Sequence, residues 1–587
     1  MTKQEIINRL SVLPQGGITT KKIKGSNGKT YEYHFLQWRE NGKQKSRTLK
    51  DDEILVIQKQ LEERKRLEHL LISEEPIFEK HIDVFNTQIR IGSTLNSFVA
   101  PVKNLKKRQG YKAIEEYIYG AQYNKVFILY GLRRTGKTTL IKQVIAEMSE
   151  ADLGKTAFLQ ILPTDTLSKL NKDLQILENN GYKYVFIDEV TLMSDFIEGS
   201  ALLSDIYAAT GMKIVLSGTD SLGFWISKSN ELYNRCFLLH TTFISYREFS
   251  SVLGINGIDE YIQYGGTMSI SGNHYNDNVF FDKKTTDEYI DSAIAQNIQH
   301  SLKTYQYGGH FRELYSLYEK GELTGAINRV VEDINHRFTL EVLERDFKSN
   351  DLRISANNLR KDRVSPTTIL DDIDVNAFTK RLKESLSIKN KDEMSVIINQ
   401  NHVREIEEYL AALDLIEYIN VTSINSTMDQ RTRVVFSQPG LRYSQAKSFI
   451  ESLLLEDIFN NLSAEERKRV TIRILNEIKG RMTEDLVLLE TKKANPQKNV
   501  FKLQFADGEF DMVINDPETL ETKIYEIKFS KDQVPDQTRH LLDETKCAQT
   551  EFRYGKIIQK AVLYRGNTCK VDNIDYINLE EYLLNLP

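Results

Sequence analysis

Apolar positions along this chain follow two rhythms. From Val126 to His240 short continuous apolar runs alternate with amphipathic stretches: Val126–Tyr130 and residues 155–161, 181–188, 212–216 and 236–240 each read as a strand. Unbroken apolar runs of this length fit strands covered on both faces. Residues 140–148 space their apolar side chains as a helix does, and strand–helix alternation of this kind predicts a parallel sheet. Upstream, residues 17–24, 30–39 and 43–49 read as three short strands, with turns at Gly25-Ser-Asn-Gly28 and Glu40-Asn-Gly42. A helix is predicted from Asp51, where Asp52 and Glu53 suit the helix dipole, to about Leu71.

Further along the pattern is mixed. Residues 76–110 read as a connector, with Pro101 and a basic run at 103–108, and a helix at 112–119 then leads into the apolar run at Val126. Residues 270–375 are helical and charged, with Ser365-Pro366 as a break. Helices at 378–386 and 402–413 precede strands at 415–421 and 431–436, which predicts a winged helix that either contacts DNA or serves as a packing unit. A helix at 472–491 and strands at 501–505, 509–514 and 523–528 close the pattern. The expected class is α/β. Its segments are a basic three-stranded module (1–75), a connector (76–110), a parallel-sheet core (111–250), a helical extension (251–375), a winged-helix-like segment (376–439) and a second α/β domain (440–587). With 587 residues several domains are expected, because single cores seldom grow beyond roughly 250–300 residues.

The chemistry concentrates where the run at Val126 stops. Gly131-Leu-Arg-Arg-Thr-Gly136-Lys137-Thr138 has the GxxxxGK[ST] spacing between strand and helix. The two glycines let the backbone wrap so that successive N–H groups, through Arg134, Thr135, Gly136 and on to Thr139, point at phosphate oxygens at a helix N-terminus. Lys137 then reaches the β- and γ-phosphates of ATP, and the Thr138 hydroxyl coordinates Mg²⁺. About 50 residues on, an apolar strand ends in Asp188-Glu189. Asp188 suits a metal-bound water, and Glu189 the base that polarises the attacking water. Ser217-Gly-Thr219 ends the next strand, and either Ser217 or Thr219 is placed to sense the γ-phosphate.

Leu232-Tyr-Asn-Arg235, Thr242-Phe-Ile-Ser-Tyr-Arg-Glu248-Phe249 and Tyr264-Gly-Gly266 come next, in that order. With the loop and acidic motifs above, residues 111–300 resemble the archaeal-type ATPases of the AAA superfamily. The sequence departs from that pattern at Asn234, where the family often carries glycine, and at Thr267-Met268, where a proline is usual. The resemblance implies ATP hydrolysis. Arg235 is either an arginine finger acting in trans, which requires a homo-oligomer, or an arginine paired locally.

A second constellation lies near the C-terminus. Glu484 sits on the predicted helix, Asp511 on the strand at 509–514, and Glu526 and Lys528 two apart on the strand at 523–528, hence on one face. Glu484, Asp511 and Glu526 suit Mg²⁺ or Mn²⁺, with Lys528 orienting water and stabilising phosphorane charge. The layout resembles the PD-(D/E)xK nuclease core, which often ends the same ATPase family. It predicts either a metal-dependent nuclease or an inactive scaffold that binds a partner.

Charge narrows the rest. Lys and Arg number 78 against 83 Asp and Glu, a net charge of −5, so any nucleic-acid surface is local. Residues 18–50 carry nine Lys/Arg against two Glu, interleaved with Tyr31, Tyr33, Phe35 and Trp38. This suits DNA, or a solvated sheet packed on its helix. The outline is similar to the small DNA-binding modules at the front of some tyrosine recombinases. Three scattered cysteines fit no disulfide framework or zinc site, and no apolar run of 18 residues appears, so a cytoplasmic protein is expected. The combined expectation is a Mg²⁺-dependent ATPase acting on or with DNA and governing its C-terminal domain, a combination that by analogy suits defence against foreign DNA or mobile-element maintenance. The alternative is an ATP-gated regulatory switch.

Overall fold

The computed structural model describes residues 3–24, 30–40, 43–73, 84–219, 232, 234–268, 279–304, 311–348, 398–425, 430–453, 455 and 463–587. The expected turns at 25–28 and 41–42, Ser365-Pro366 and the helix expected at 378–386 lie outside them. Among the described residues no helix is long and apolar enough to cross a membrane.

Near the N-terminus, strands β1 (Gly17–Lys24), β2 (Thr30–Glu40) and β3 (Lys43–Leu49) form an antiparallel sheet, followed by the helix Asp51–Ser73. A preceding helix, Lys3–Val12, carries no periodicity strong enough to have been expected. Ile18 stands opposite Leu36, and Leu49 opposite His34; Leu36 and Leu49 are buried. The other face pairs Thr19 with Phe35 and Lys21 with Tyr33, which is 41% exposed. There the Lys21 ammonium lies 5.8 Å from the centre of the Phe35 ring.

The central sheet contains β4 (Gln88–Arg90), β5 (Val126–Tyr130), β6 (Thr156–Gln160), β7 (Tyr184–Asp188), β8 (Lys213–Gly218) and β9 (Cys236–His240). Its order is β4-β6-β7-β8-β5-β9, parallel throughout except that β4 runs against β6. The segment read as a connector therefore supplies an edge strand and the helix Gly92–Val99. A three-residue strand is too short to show a period, which is why the sheet starts upstream of the expected residue 111. Strand alternation splits the apolar side chains between two cores. Phe127, Leu129, Phe158, Phe186 and Val215 pack with the helices Gly92–Val99, Gly110–Tyr119 and Lys137–Ala146. Val126, Ile128, Leu159, Ile187 and Leu216 pack with the helix Leu167–Asn179. Both faces are covered, so the strands read as unbroken apolar runs.

The second large sheet has eight strands: β10 (Ile416–Ser423), β11 (Gln430–Phe436), β12 (Asn499–Gln504), β13 (Glu509–Asp516), β14 (Glu521–Ile527), β15 (Lys556–Tyr564), β16 (Cys569–Val571) and β17 (Ile574–Asn578). They are ordered β11-β10-β12-β13-β14-β15-β17-β16. This corrects the expected division at 439/440. The hairpin assigned to a winged helix is the edge of the C-terminal sheet, with β10 parallel to β12 and Val421 opposite Lys502. An alternating strand pattern shows that a face is buried, but not against which sheet. The helix Gln400–Ala412 packs both with Arg312–Glu319 and Leu323–Lys348 and with the hairpin, its Ile406, Tyr409 and Leu410 sharing one core with Ile416 and Phe436.

The two large sheets are joined by a common core. Ile244, Tyr246, Phe249 and Tyr261, just past β9, are buried with Tyr443, Ile478, Leu486 and Leu489 of the helices Pro439–Leu453 and Ala464–Ala494. Within it the Tyr246 N–H donates to Glu490 Oε1 at 2.8 Å. Burial pushes the Glu490 carboxyl up to about 8, against the opposing hydrogen bonds of the Tyr246 N–H and Tyr261 and the charge of Arg247, with Glu248 adding to the rise. The folded state therefore holds a proton that the unfolded chain releases near pH 4.5. The stability this contributes is full below that value and lost as pH rises through about 8. Glu490→Gln, which cannot ionise, is expected to overtake wild type between about pH 6 and 9 by on the order of 1 kcal/mol, read as the difference in denaturation midpoints. A difference that stays constant with pH would refute this.

Candidate functional site

Strand order sets the geometry. With β8 between β5 and β7, the loop after β5, the acids after β7 and the polar end of β8 converge at the carboxyl ends of the sheet, where α/β proteins place ligands. The loop closes through left-handed residues: Gly131 at φ 142°, Arg134 at 64° and Gly136 at 85°. A Cβ at Gly131 would lie 2.9 Å from the Thr242 nitrogen, so only glycine fits there. Gly136 caps the helix Lys137–Ala146, whose first turn carries Lys137, Thr138 and Thr139.

Lys137 Nζ donates to the carbonyls of Gly131 (2.8 Å) and Leu132 (2.9 Å), and burial lowers its pKa to about 8. Thr138 Oγ1 donates to Asp188 Oδ2 at 2.9 Å, while the Ser217 hydroxyl donates to Asp188 Oδ1. Glu189, at φ 60°, turns its carboxylate to Thr219, whose N–H and Oγ1 both donate to Oε2 at 3.3 Å. Burial raises the Glu189 pKa, opposed by the charge of Lys137. Ser217 and Thr219, alternatives in the sequence, thus each hold a different acid. Thr138 and Asp188 place two hard oxygen donors together at the loop, a set that fits Mg²⁺.

Sequence reasoning missed what holds this loop. Arg108, the last residue of the basic run, is buried and pairs with Glu248 at 2.6 Å. It also donates to the carbonyls of Thr135, Thr241 and Phe243. Thr242 Oγ1 accepts from the Leu132 N–H at 3.1 Å. Arg235 lies elsewhere. It precedes β9 at the sheet end opposite the loop and pairs with Asp205 at 3.1 Å, both half-exposed. That is the local pairing the sequence left open, and it still leaves the guanidinium at the surface.

In the C-terminal sheet, a β-bulge sets Asp511 and Met512 together opposite Lys502. Asp511 Oδ2 accepts from the Ile527 N–H (2.9 Å) and Lys528 Nζ (3.1 Å), and Lys528 also donates to Glu526 Oε2 at 2.7 Å. Burial disfavours the Asp511 charge, but Lys528, Lys502 and the Ile527 N–H together hold its pKa far below normal. Burial and the Asp511 charge drive Glu526 the other way. Glu484 is paired to Arg481 and to Lys502 at 3.2 Å, and Lys502 reaches Glu509 at 2.8 Å and Asp511 at 3.4 Å. The four expected residues do gather, yet Lys502, which no sequence pattern singles out, stands between Glu484 and Asp511. Glu526 Oε1 is buried with no hydrogen-bond partner among the described residues. Among those residues, no group of three or more His, Cys, Asp or Glu is arranged to hold a metal ion. As arranged, the Lys502 ammonium supplies the positive charge between Glu484 and Asp511, while the Asp511 and Glu526 carboxylates offer hard oxygen donors of the kind a divalent ion takes.

Residues 123–250 match the family model of an AAA domain. No curated protein matches the chain. Among solved structures, S. cerevisiae Hsp104 in an extended conformation with casein is 16% identical with a TM-score of 0.22, over 27% of this chain and 31% of that one. The chain thus spans about a third of Hsp104. The Aeropyrum pernix ORC1 protein in complex with DNA is 13% identical (TM-score 0.21; 62% and 99% covered), and C. elegans PCH-2 is 17% identical (0.19; 36% and 64%). The chain contains an AAA-type P-loop ATPase domain and a separate C-terminal sheet domain.

Proposed function

We propose that this AAA-type domain binds and hydrolyses ATP with Mg²⁺, and that its nucleotide cycle governs the C-terminal domain in an activity exerted on or with DNA. The observation that carries the reading is the convergence of Lys137, Thr138, Asp188, Ser217 and Glu189 at one end of the sheet. In this reading the N–H groups from Arg134 to Thr139 and the Lys137 ammonium cradle the phosphates. Thr138 and Asp188 hold Mg²⁺, which supplies charge neutralisation. Glu189, its carboxylate desolvated and oriented by Thr219, takes the proton of the attacking water, and Ser217 fixes the Asp188 rotamer. Arg235, exposed at the far end of the sheet, reaches a neighbouring protomer's nucleotide if the chain forms a homo-oligomer. The exposed N-terminal face with Lys21, Tyr33 and Phe35 contacts DNA through phosphates and base stacking.

In the C-terminal domain, Glu484, Asp511, Glu526 and Lys528 form a nuclease-like centre in this reading, with a part in defence or mobile-element maintenance. A second reading is favoured by Lys502: an ATP-gated switch whose nuclease-like domain is an inactive scaffold that binds a protein partner. Plasmid incubation with Mg²⁺ or Mn²⁺, with and without ATP, separates them. Cleavage lost in Asp511→Ala and altered in Lys137→Ala supports the nuclease. ATP hydrolysis without cleavage under any condition supports the switch. Absence of ATP binding defeats both.

A further inference from the structure

The phosphate loop is tied to the C-terminal domain through a buried amide side chain. The Met268 N–H donates to the Arg134 carbonyl at 2.8 Å, and a Cβ added at Gly136 would come 3.8 Å from Met268 Cγ. Just before Met268, the double glycine docks on the segment 437–440. The Gly440 N–H donates to the Gly265 carbonyl at 3.0 Å, and Gln438 Nε2 donates to the Gly266 carbonyl at 2.9 Å. The same Nε2 donates to the Tyr289 hydroxyl at 3.0 Å. A Cβ on Gly266, at φ 113°, would sit 2.6 Å from Gln438 Cβ, so glycine is required for this approach. Gln438 is fully buried, and its Oε1 has no partner among the described residues. A buried acceptor left unmet is costly and calls for an explanation beyond packing.

From Gln438 the chain runs on toward the acid cluster. The helix Pro439–Leu453 begins at the next residue, and its Arg442 donates to Asp485 Oδ2 at 2.9 Å, beside Glu484 in sequence. Leu132 of the phosphate loop is buried in one core with Phe280, Tyr289 and Leu441. Loop and helix therefore share a polar tie and an apolar one.

We propose that Gln438 is a positioning residue that passes the nucleotide state of the phosphate loop to the helix pair carrying Arg442, Asp485 and Glu484. The inference rests on the reading that the loop binds ATP. When Lys137 exchanges the Gly131 and Leu132 carbonyls for phosphate oxygens, the loop backbone loses two internal ties and settles anew. Its shift reaches Gln438 through Met268 and Gly266, and the spare Oε1 supplies the amide with a second arrangement. A two-state contact biased from one side and read on the other meets the physical condition for coupling.

Hydrogen exchange on the full chain, with ATPγS and Mg²⁺ or without nucleotide, tests this, with mant-ATP fluorescence as the binding control. In wild type, nucleotide is expected to change exchange rates about five-fold in the loop peptide 126–146 and in peptides 439–453 and 475–490. Gln438→Ala is expected to bind mant-ATP and keep the loop response while losing the distal one. Tyr289→Phe removes one partner of the amide and keeps the ring. It is expected to weaken the distal response, and it carries the test if Gln438→Ala does not fold. Distal responses that persist in the variants overturn the proposal, as does a wild type that responds at the loop alone. Failure of wild type to bind mant-ATP overturns the ATP reading itself, so the two failures are distinguishable.

Discussion

Lys137→Ala is expected to lower ATP turnover by about 10³-fold, the scale on which removing one preorganised charge from a buried reaction site acts. The reason is local. Two carbonyls draw the Lys137 ammonium into the loop, and its low pKa shows that desolvation outweighs the help of Glu189 and Asp188. Phosphate oxygens would restore the missing negative charge. Alanine leaves the helix intact, so the fold is expected to persist. Turnover within a few-fold of wild type, measured by phosphate release at saturating ATP, would remove the site from consideration.

The second large effect concerns stability. Arg108→Met keeps the aliphatic volume but leaves Glu248 charged, buried and unpaired, and deprives three carbonyls of their donor. Breaking one side of a buried pair costs about 3–5 kcal/mol. The loss is expected in chemical denaturation and to be shared by the loop, since the Thr135 carbonyl belongs to it. The double variant Arg108→Met with Glu248→Gln is expected to recover part of the loss, because no buried charge is then orphaned. A denaturation midpoint unchanged in Arg108→Met would show that water replaces the guanidinium.

These two residues mark where the sequence was legible. Lys137 could be read because strand, glycines, lysine and helix are contiguous, so the motif carries its own structural context. Asp188, Glu189 and Ser217 were legible for the same reason, each ending an apolar run. Arg108 was hidden, because its partner lies 140 residues away and its neighbours make it look like part of a solvated basic run. Lys502 was equally silent. It sits on an ordinary strand, and its partners, Glu509 and the bulged Asp511 on the neighbouring strand and Glu484 on a helix, come together only in the fold. The hairpin 416–436 is legible as a hairpin, but its place at the edge of the C-terminal sheet is not, since period-two alternation reports a buried face and nothing about the neighbouring strand.

The pairing of β10 with β12 also bears on how the chain is made. Emerging from the ribosome, the hairpin is finished well before residues 499–504 exist, and until then the β10 edge stands open with its donors and acceptors unmatched. Open edges invite pairing with other chains, and parallel partners distant in sequence close slowly. A fragment beginning at residue 440 would carry the complementary defect, a bare β12 edge beside Lys502, and is expected to aggregate where the full chain stays dispersed.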